Sequence, residues 1–95
     1  MAPTKDTSYL GHIVTSTAGR DRKRLFAVIG VDESDARGIV YISDGRLRRV
    51  EKPKRKKLIH LKFTGAADER ISALIEEGKL TNRALHGILN EYRQV

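Results

Sequence analysis

The residues whose type and spacing could do chemistry are basic, and most of them fall in two blocks of the chain. The larger block, residues 46–57, holds eight Lys or Arg residues and one acid, Glu51. The smaller block, residues 20–24, holds four basic residues around Asp21. Together the two blocks carry a net charge of +10, against +7 for the whole chain, so the remainder is slightly acidic. The array of anions that best matches this concentrated positive charge is a nucleic-acid backbone.

The simplest alternative interpretation of a basic run is a solvated surface or a disordered tail. In this chain, however, both blocks flank predicted strands, and clustered like charges lower folding stability unless a ligand balances them. We therefore predict that the basic side chains of both blocks contact phosphates. These are Arg20, Arg22, Lys23, Arg24, Arg46, Arg48, Arg49, Lys52, Lys54, Arg55, Lys56 and Lys57. Arg20 and Arg48 are candidates for more specific contacts, because a guanidinium can bond at two points or stack on a base.

The sequence carries no signal for catalysis or metal binding. Its five serines lie in no nucleophile-elbow pattern, its three histidines are not at metal-ligand spacing, and no Gly-rich loop ends in the Lys-Ser or Lys-Thr that cradles phosphates. Asp32, Glu33 and Asp35 crowd one predicted turn, where a solvated loop is the favoured interpretation. His60 is expected to be an ordinary strand residue, with base stacking or phosphate contact as the alternative. We predict a protein that is not an enzyme and uses no metal, cofactor or small-molecule substrate.

Length and composition predict one small cytoplasmic domain. The 95 residues, 39% of them hydrophobic, suffice for a single modest core, and the absence of Cys excludes disulfides and thiolate sites. No stretch reaches the ~18 apolar residues that span a bilayer, and the first residues lack the apolar segment of a signal peptide. A pI near 10.1 would also suit anionic lipid, but the basic blocks lie in turn and strand contexts, so no membrane association is predicted.

Short β-branched segments separated by turn residues predict a β domain over residues 9–64, after a loose tail at 1–8. The predicted strands are 9–16, 25–31, 39–43, 46–50 and 58–63. Strands this short and this close together leave no room for crossover helices. They predict a small antiparallel barrel that closes on itself and so leaves no open edge.

The larger basic block is expected to follow a tight turn. Asp44-Gly45 is a two-residue hairpin signal, so residues 46–50 should pair back on the strand before it. Pro53 lacks a backbone donor, so residues 51–57 are expected to leave the sheet as an exposed arm.

From residue 65 onward the apolar period becomes helical. Acids at 68 and 69 and a glycine at 78 bound a first predicted helix, and Thr81 is the predicted N-cap of a second. The apolar faces consist of Ile71, Leu74, Ile75, Ala84, Leu85, Ile88, Leu89 and Tyr92. Two such short helices are not stable alone, so the hairpin at 65–95 must pack on the barrel, on a partner or on a second copy. We expect the barrel, and with five acids and four bases the hairpin should add little to the electrostatic footprint.

Taken in order, several of these motifs form one longer pattern. It begins with Gly11-x-x-Val14-x-Ser16-x-Ala18-Gly19-Arg20-Asp21, continues through the apolar strand to Asp44-Gly45-x-Leu47-Arg48, and ends with Lys52-Pro53-Lys54-x-Lys56-Lys57 and His60-Leu61. The pattern resembles the KOW-type RNA-binding proteins. It looks closest to the small bacterial KOW-domain proteins that are similar to the eukaryotic and archaeal large-subunit ribosomal protein fourteen.

The resemblance implies an SH3-like barrel whose first loop and following strands contact ribosomal or other structured RNA. By position, the first loop would contain Ser16, Gly19, Arg20 and Asp21, with backbone amides near the glycine also meeting the ligand. The second block would contain Asp44, Gly45, Arg48, Lys54, Lys56, Lys57 and His60. Lys23 stands where such loops usually carry a glycine and adds positive charge, and the helical tail lies outside the matching stretch.

The combined expectation is a mainly β protein with α: a small SH3-like five-stranded antiparallel barrel of KOW type, followed by a C-terminal helical hairpin. Its expected function is non-enzymatic RNA binding, with ribosomal RNA and the ribosome as partners. Two other classes stay open. One is a protein-interaction module that docks on the ribosome or RNA polymerase through the hairpin, and the other is a duplex-DNA binder, which the same phosphate electrostatics would permit.

Overall fold

Five strands and two helices make up the described part of the chain. A computed structural model describes residues 9–17, 24–32 and 38–93. The elements are β1 His12–Ser16, β2 Leu25–Asp32, β3 Ile39–Ser43, β4 Lys54–Lys57, β5 Leu61–Ala67, α1 Glu69–Glu76 and α2 Asn82–Arg93. A 3-10 turn at Leu58–His60 joins β4 to β5. The predicted class, mainly β with a C-terminal pair of helices, is confirmed.

The strands form one antiparallel sheet in the order β4-β3-β2-β1-β5. The first four strands follow one another as a meander, and β5 returns to pair with β1. Within the described residues no ladder joins β4 to β5, so the sheet is barrel-like but open between its two edge strands.

The fourth strand lies in a different place from the one predicted. Residues 46–50 do not pair with β3; instead Lys54–Lys57 does, from Ile42 opposite Lys54 to Ile39 opposite Lys57. The predicted two-residue hairpin and the predicted exposed arm are therefore both wrong, and residues 44–53 form a wide loop. Pro53 stands directly before β4 rather than inside it, where its missing N–H breaks no ladder bond, and β4 is an edge strand, where basic residues are well tolerated.

Two other predicted strands have shifted ends. β1 begins at His12 rather than at residue 9, because Gly11 takes a positive φ of 82° in the turn that precedes it. The last strand begins at Leu61 rather than at residue 58. Leu58 donates its N–H to the carbonyl of Gly38 at 2.9 Å, and the chain turns once there before β5 starts.

Alternation along the strands gives the sheet two buried faces. The inner face of the curved sheet is filled by Val14, Phe26, Val28, Val40, Ile42 and Leu61. The opposite face carries Ile13 and Ala27, which pack against both helices. The continuous apolar run of β2 is explained by this arrangement, because β2 is covered on both sides.

Both helices begin where the sequence predicts, and α1 also ends there. The Asp68 carboxylate caps α1 by accepting the N–H of Arg70 at 2.9 Å, and Thr81 Oγ1 accepts the N–H of Ala84 at 3.1 Å at the start of α2. Gly78, with φ of 68°, ends α1 by donating its N–H to the carbonyl of Ile75 at 3.0 Å. The prediction that the sheet covers the apolar faces is also confirmed. The buried helical residues in that contact are Ile71, Leu85, Ile88 and Leu89.

Truncation of Leu85, which is fully buried between α2 and the sheet, should destabilise the whole molecule. We expect Leu85→Ala to lower the free energy of unfolding by about 2–4 kcal/mol in urea denaturation, as core truncations do. Leu47→Ala is the matched control, because the same atoms are removed at a residue that is 53% exposed. It should change stability by less than about 0.5 kcal/mol. Equal midpoints for the two variants would contradict the packing described here.

Hydrogen bonds and ion pairs among four side chains link the start of α1 to the end of α2. Arg70 Nη2 contacts Asp68 Oδ2 at 2.7 Å and Glu91 Oε1 at 2.9 Å, and Tyr92 donates its hydroxyl to Asp68 Oδ2 at 2.7 Å. Asp68 is buried. The hydrogen bonds from Arg70, reinforced by the one from Tyr92, hold the pKa of Asp68 well below its usual range, and the bond to Asp68 raises the pKa of Tyr92.

The stabilising effect of Asp68 should depend on pH. Its pKa is lower in the folded chain than its ordinary value of 3.8, so its charge adds stability at neutral pH, and this contribution declines progressively as the pH falls below 3.8. We expect Asp68→Asn to lower the free energy of unfolding at pH 7 by about 1–3 kcal/mol, and by less at about pH 3. Urea denaturation at both pH values measures this. Glu69→Gln, which removes an exposed acid from the same turn, is the control; an Asp68→Asn deficit that is equal at both pH values would contradict the account.

Candidate nucleic-acid interface

The predicted site residues are unevenly distributed over the structure. Gly19, Arg20, Arg22 and Lys23 lie outside the described residues. Ser16 is buried on the inner face, with 2% of its surface exposed, so its side chain is not presented to a ligand. The exposed members are Arg24, Arg46, Arg49, Lys52, Arg55, Lys57 and His60, and the half-buried ones are Arg48, Lys54 and Lys56.

A hydrogen-bonded turn, which we call the 43–48 turn, supports the first basic residues of the larger block. Buried Asp44 accepts the N–H groups of Arg46 and Arg48 on Oδ1, both at 2.9 Å. The carbonyl of Arg48 accepts the N–H of Asp44 at 3.0 Å and of Gly45 at 3.2 Å, and also the hydroxyl of Ser43. These bonds fix the backbone, so the arginines extend from a rigid base. A ligand at this turn would therefore not have to order the backbone that carries these arginines.

Gly45 brings the 43–48 turn into backbone contact with α2. Its φ is 76°, and a Cβ built there would lie 2.3 Å from the carbonyl oxygen of Asn82 and 3.0 Å from the nitrogen of His86. Any side chain at this position would push the turn away from the helix. Gly45, which the sequence suggested as part of a hairpin turn, is thus required for a close turn-to-helix contact.

We call the wide loop at residues 44–53 the basic loop. Asn82, the first residue of α2, forms hydrogen bonds with its second half. Its Oδ1 accepts the N–H of Val50 at 2.7 Å, and its Nδ2 donates to both carboxylate oxygens of Glu51 at 2.8 and 2.7 Å. The hydrogen bond from Asn82 lowers the pKa of Glu51, and Arg49 at 3.6 Å contributes in the same direction. The single acid of the larger block is therefore ionised and engaged by neighbours.

Two lysines of β4 lie on the same face of the sheet as the inner core. Lys54 and Lys56 stand directly opposite Ile42 and Val40, two buried residues of β3. Both lysines are half-buried, as is usual where an aliphatic stem covers apolar neighbours and the ammonium group stays in water. Their stems therefore belong to the packing of the sheet edge, in contrast to the predicted free arm.

The other two basic residues of β4 lie on the opposite face. Arg55 and Lys57 are exposed, and Arg55 Nη2 lies 3.6 Å from Asp32 Oδ2. Strand alternation thus divides the four charges of β4 between two directions. Of the four, those on this outer face are the more accessible to a ligand.

Two concave regions are each lined by two or more residues of the larger block. The loop groove, of about 560 Å³, is lined by Leu47, Arg48, Arg49, Lys52, Pro53, Lys54 and Arg55. The α2 groove, of about 780 Å³, lies between the 43–48 turn and α2 and is lined by Arg24, Leu25, Asp44, Arg46, Leu47, His86, Asn90 and Arg93. Leu47 borders both, so the two grooves adjoin.

Sequence reasoning missed the contribution of α2 to this surface. His86, Asn90 and Arg93 follow one another at helical spacing and line the α2 groove, whereas the hairpin was expected to add little. The available signal was their shared face, since the same periodicity that placed Leu85 and Leu89 inward places these polar residues together on another side.

The described residues hold no group of three His, Asp or Glu side chains placed to bind a metal ion. No helix in the described part of the chain is long and apolar enough to cross a membrane. A scan against models of protein families matches none of them, and a search of curated proteins finds none with significant similarity.

Removal of the Asn82 side chain should loosen the basic loop from α2. We expect Asn82→Ala to lower the free energy of unfolding by about 1–3 kcal/mol, because the half-buried N–H of Val50 loses its acceptor. Glu51→Ala is the control: it removes the exposed partner of the same amide and should leave the urea midpoint nearly unchanged. If the two variants lose the same stability, the bond to Val50 is not the one that fixes the loop.

Proposed function

We propose that the protein is a non-enzymatic RNA-binding protein that associates with ribosomal or other structured RNA through its basic surface. The observation that carries this proposal is that hydrogen bonds and strand pairing fix the backbone of residues 46–57. Six of the eight basic residues there lie on the 43–48 turn or on the edge strand β4, and the other two, Arg49 and Lys52, lie in the loop between them. Glu51, the only acid of this block, is engaged by Asn82 and Arg49. A cytoplasmic location, where ribosomal RNA is found, forms part of the proposal.

The chemistry of the surface favours contact with a phosphate backbone. Lysine and arginine at this density neutralise phosphates and release counterions, which gives affinity with little sequence choice. Structured RNA is recognised largely by its shape and backbone. The resemblance of residues 10–64 to KOW-type proteins supports RNA over DNA as the ligand.

The residues have different roles in this proposal. Arg49 and Lys52 are exposed on the loop groove and would contact phosphates as charges. Arg48, set by its own backbone bonds to Asp44, is the candidate for a bidentate or stacking contact. Arg55 and Lys57 extend the charge along the outer face of β4.

Salt dependence of binding to a hairpin RNA tests the proposal. If six to eight side chains meet phosphates, log affinity should fall with log salt with a slope of about −4 to −7. Arg49→Gln with Lys52→Gln should make the slope less steep by about 2 units. The control, Lys62→Gln with Lys79→Gln, removes the same charge outside the block and should leave the slope close to that of the unmodified protein.

Three results would overturn the proposal. A slope shallower than about −2 would contradict the electrostatic account. Association with ribosomes that persists after nuclease treatment, without affinity for the isolated RNA, would instead favour a protein-interaction module. Equal affinity for a DNA duplex of the same length would leave a general phosphate binder in place of an RNA-binding protein.

A further inference from the structure

The α2 groove brings together three arginines from distant parts of the chain. Arg24 precedes β2, Arg46 belongs to the 43–48 turn, and Arg93 ends α2. The one acid in the lining, Asp44, is buried and already accepts two backbone N–H groups. The lining therefore has a positive charge, presented by guanidinium groups whose planar donors match the oxygens of a phosphate.

The hydrogen-bond partner of Arg93 is neutral, in contrast to the partners of Arg70, an arginine that stabilises the fold. Arg93 Nη1 donates to Asn90 Oδ1 at 2.6 Å, which positions it without cancelling its charge. Arg70, by comparison, contacts the two carboxylates of Asp68 and Glu91. Within the described residues neither Arg93 nor Arg46 forms an ion pair, so no described carboxylate neutralises their positive charge.

The remaining lining suits a base better than a phosphate alone. Asn90 Nδ2 lies 3.5 Å from His86 Nδ1, and the amide and ring together place donors and acceptors along one side of the groove. Leu25 and Leu47 supply apolar surface, and Leu47 is 53% exposed. A volume of about 780 Å³ lies within the range of sites that enclose small organic ligands and exceeds what a phosphate group needs.

We propose that the α2 groove receives one unpaired nucleotide of the bound RNA, with its phosphate on the arginines and its base beside Leu47, Asn90 and His86. This inference rests on the proposed function and names the part of the RNA that this groove would recognise. Sequence-specific proteins read RNA mostly at bases that have left the helical stack. Because Leu47 also borders the loop groove, an RNA backbone that follows Arg49 and Lys52 leads directly to the α2 groove.

Two RNA probes test this: a fully paired duplex, and the same duplex with a single bulged nucleotide. We expect the unmodified protein to bind the bulged RNA about tenfold more tightly, as one accommodated base can provide. Arg93→Gln should abolish most of this preference, and its affinity for the paired duplex should equal that of Lys79→Gln. Lys79→Gln removes one charge from the same helical hairpin outside the groove, so it should keep the preference.

Leu47→Ala gives a second, uncharged test. It should reduce the preference for the bulged RNA and leave the salt dependence of duplex binding unchanged, because no charge is lost. Adenosine monophosphate in large excess should not displace the bulged RNA; displacement would assign the groove to free nucleotides instead.

The outcomes separate this inference from the proposed function. If the unmodified protein binds both RNAs equally, or if Arg93→Gln keeps the preference as Lys79→Gln does, the inference is overturned, and RNA binding through the basic block stands. If the unmodified protein binds neither RNA, the proposed function itself fails. Thermal melting of each variant establishes that the comparison is made between folded proteins.

Discussion

Burial of one face of α2 against the sheet is the contact on which the rest of the structure depends. Leu85 and Leu89 are fully buried against the face that carries Ile13 and Ala27. Neither helix is long enough to be stable in water alone, and without α2 that face of the sheet would be wet. The same docking brings Asn82 to the basic loop. A hydrophobic contact thus determines where the positive charge is presented.

The basic residues of β4 serve the fold as well as the surface. An edge strand exposes backbone N–H and C=O groups that could pair with a strand of another molecule, and charged side chains along the edge oppose such pairing. Lys54 and Lys56 place such charges on the edge strand, and both are half-buried opposite Ile42 and Val40 of the inner core. The clustering of like charge, which by itself lowers stability, is therefore partly offset by packing of the stems of these two lysines.

Much of the fold follows from local sequence signals. The wrong predictions concern segments whose structure depends on contacts with residues distant in the sequence. The apolar run of β2 and the caps at Asp68 and Thr81 have local causes, and the structure agrees with all three. β4 has no local signal, because a run of basic residues after Pro53 becomes a strand only by pairing with β3. The α2 side of the α2 groove could have been read from helical periodicity, but its other side could not, since no motif relates Arg24 to Arg93. Of the candidate interface, the charge could be predicted, but its division between two grooves could not.

The bond from Val50 to Asn82 joins residues that are 32 positions apart and ties the loop to α2. Because this contact is long-range, the loop can reach its final form only after α2 has packed against the sheet. Detachment of α2 from the sheet therefore releases the loop as well, so the two segments open as one cooperative unit.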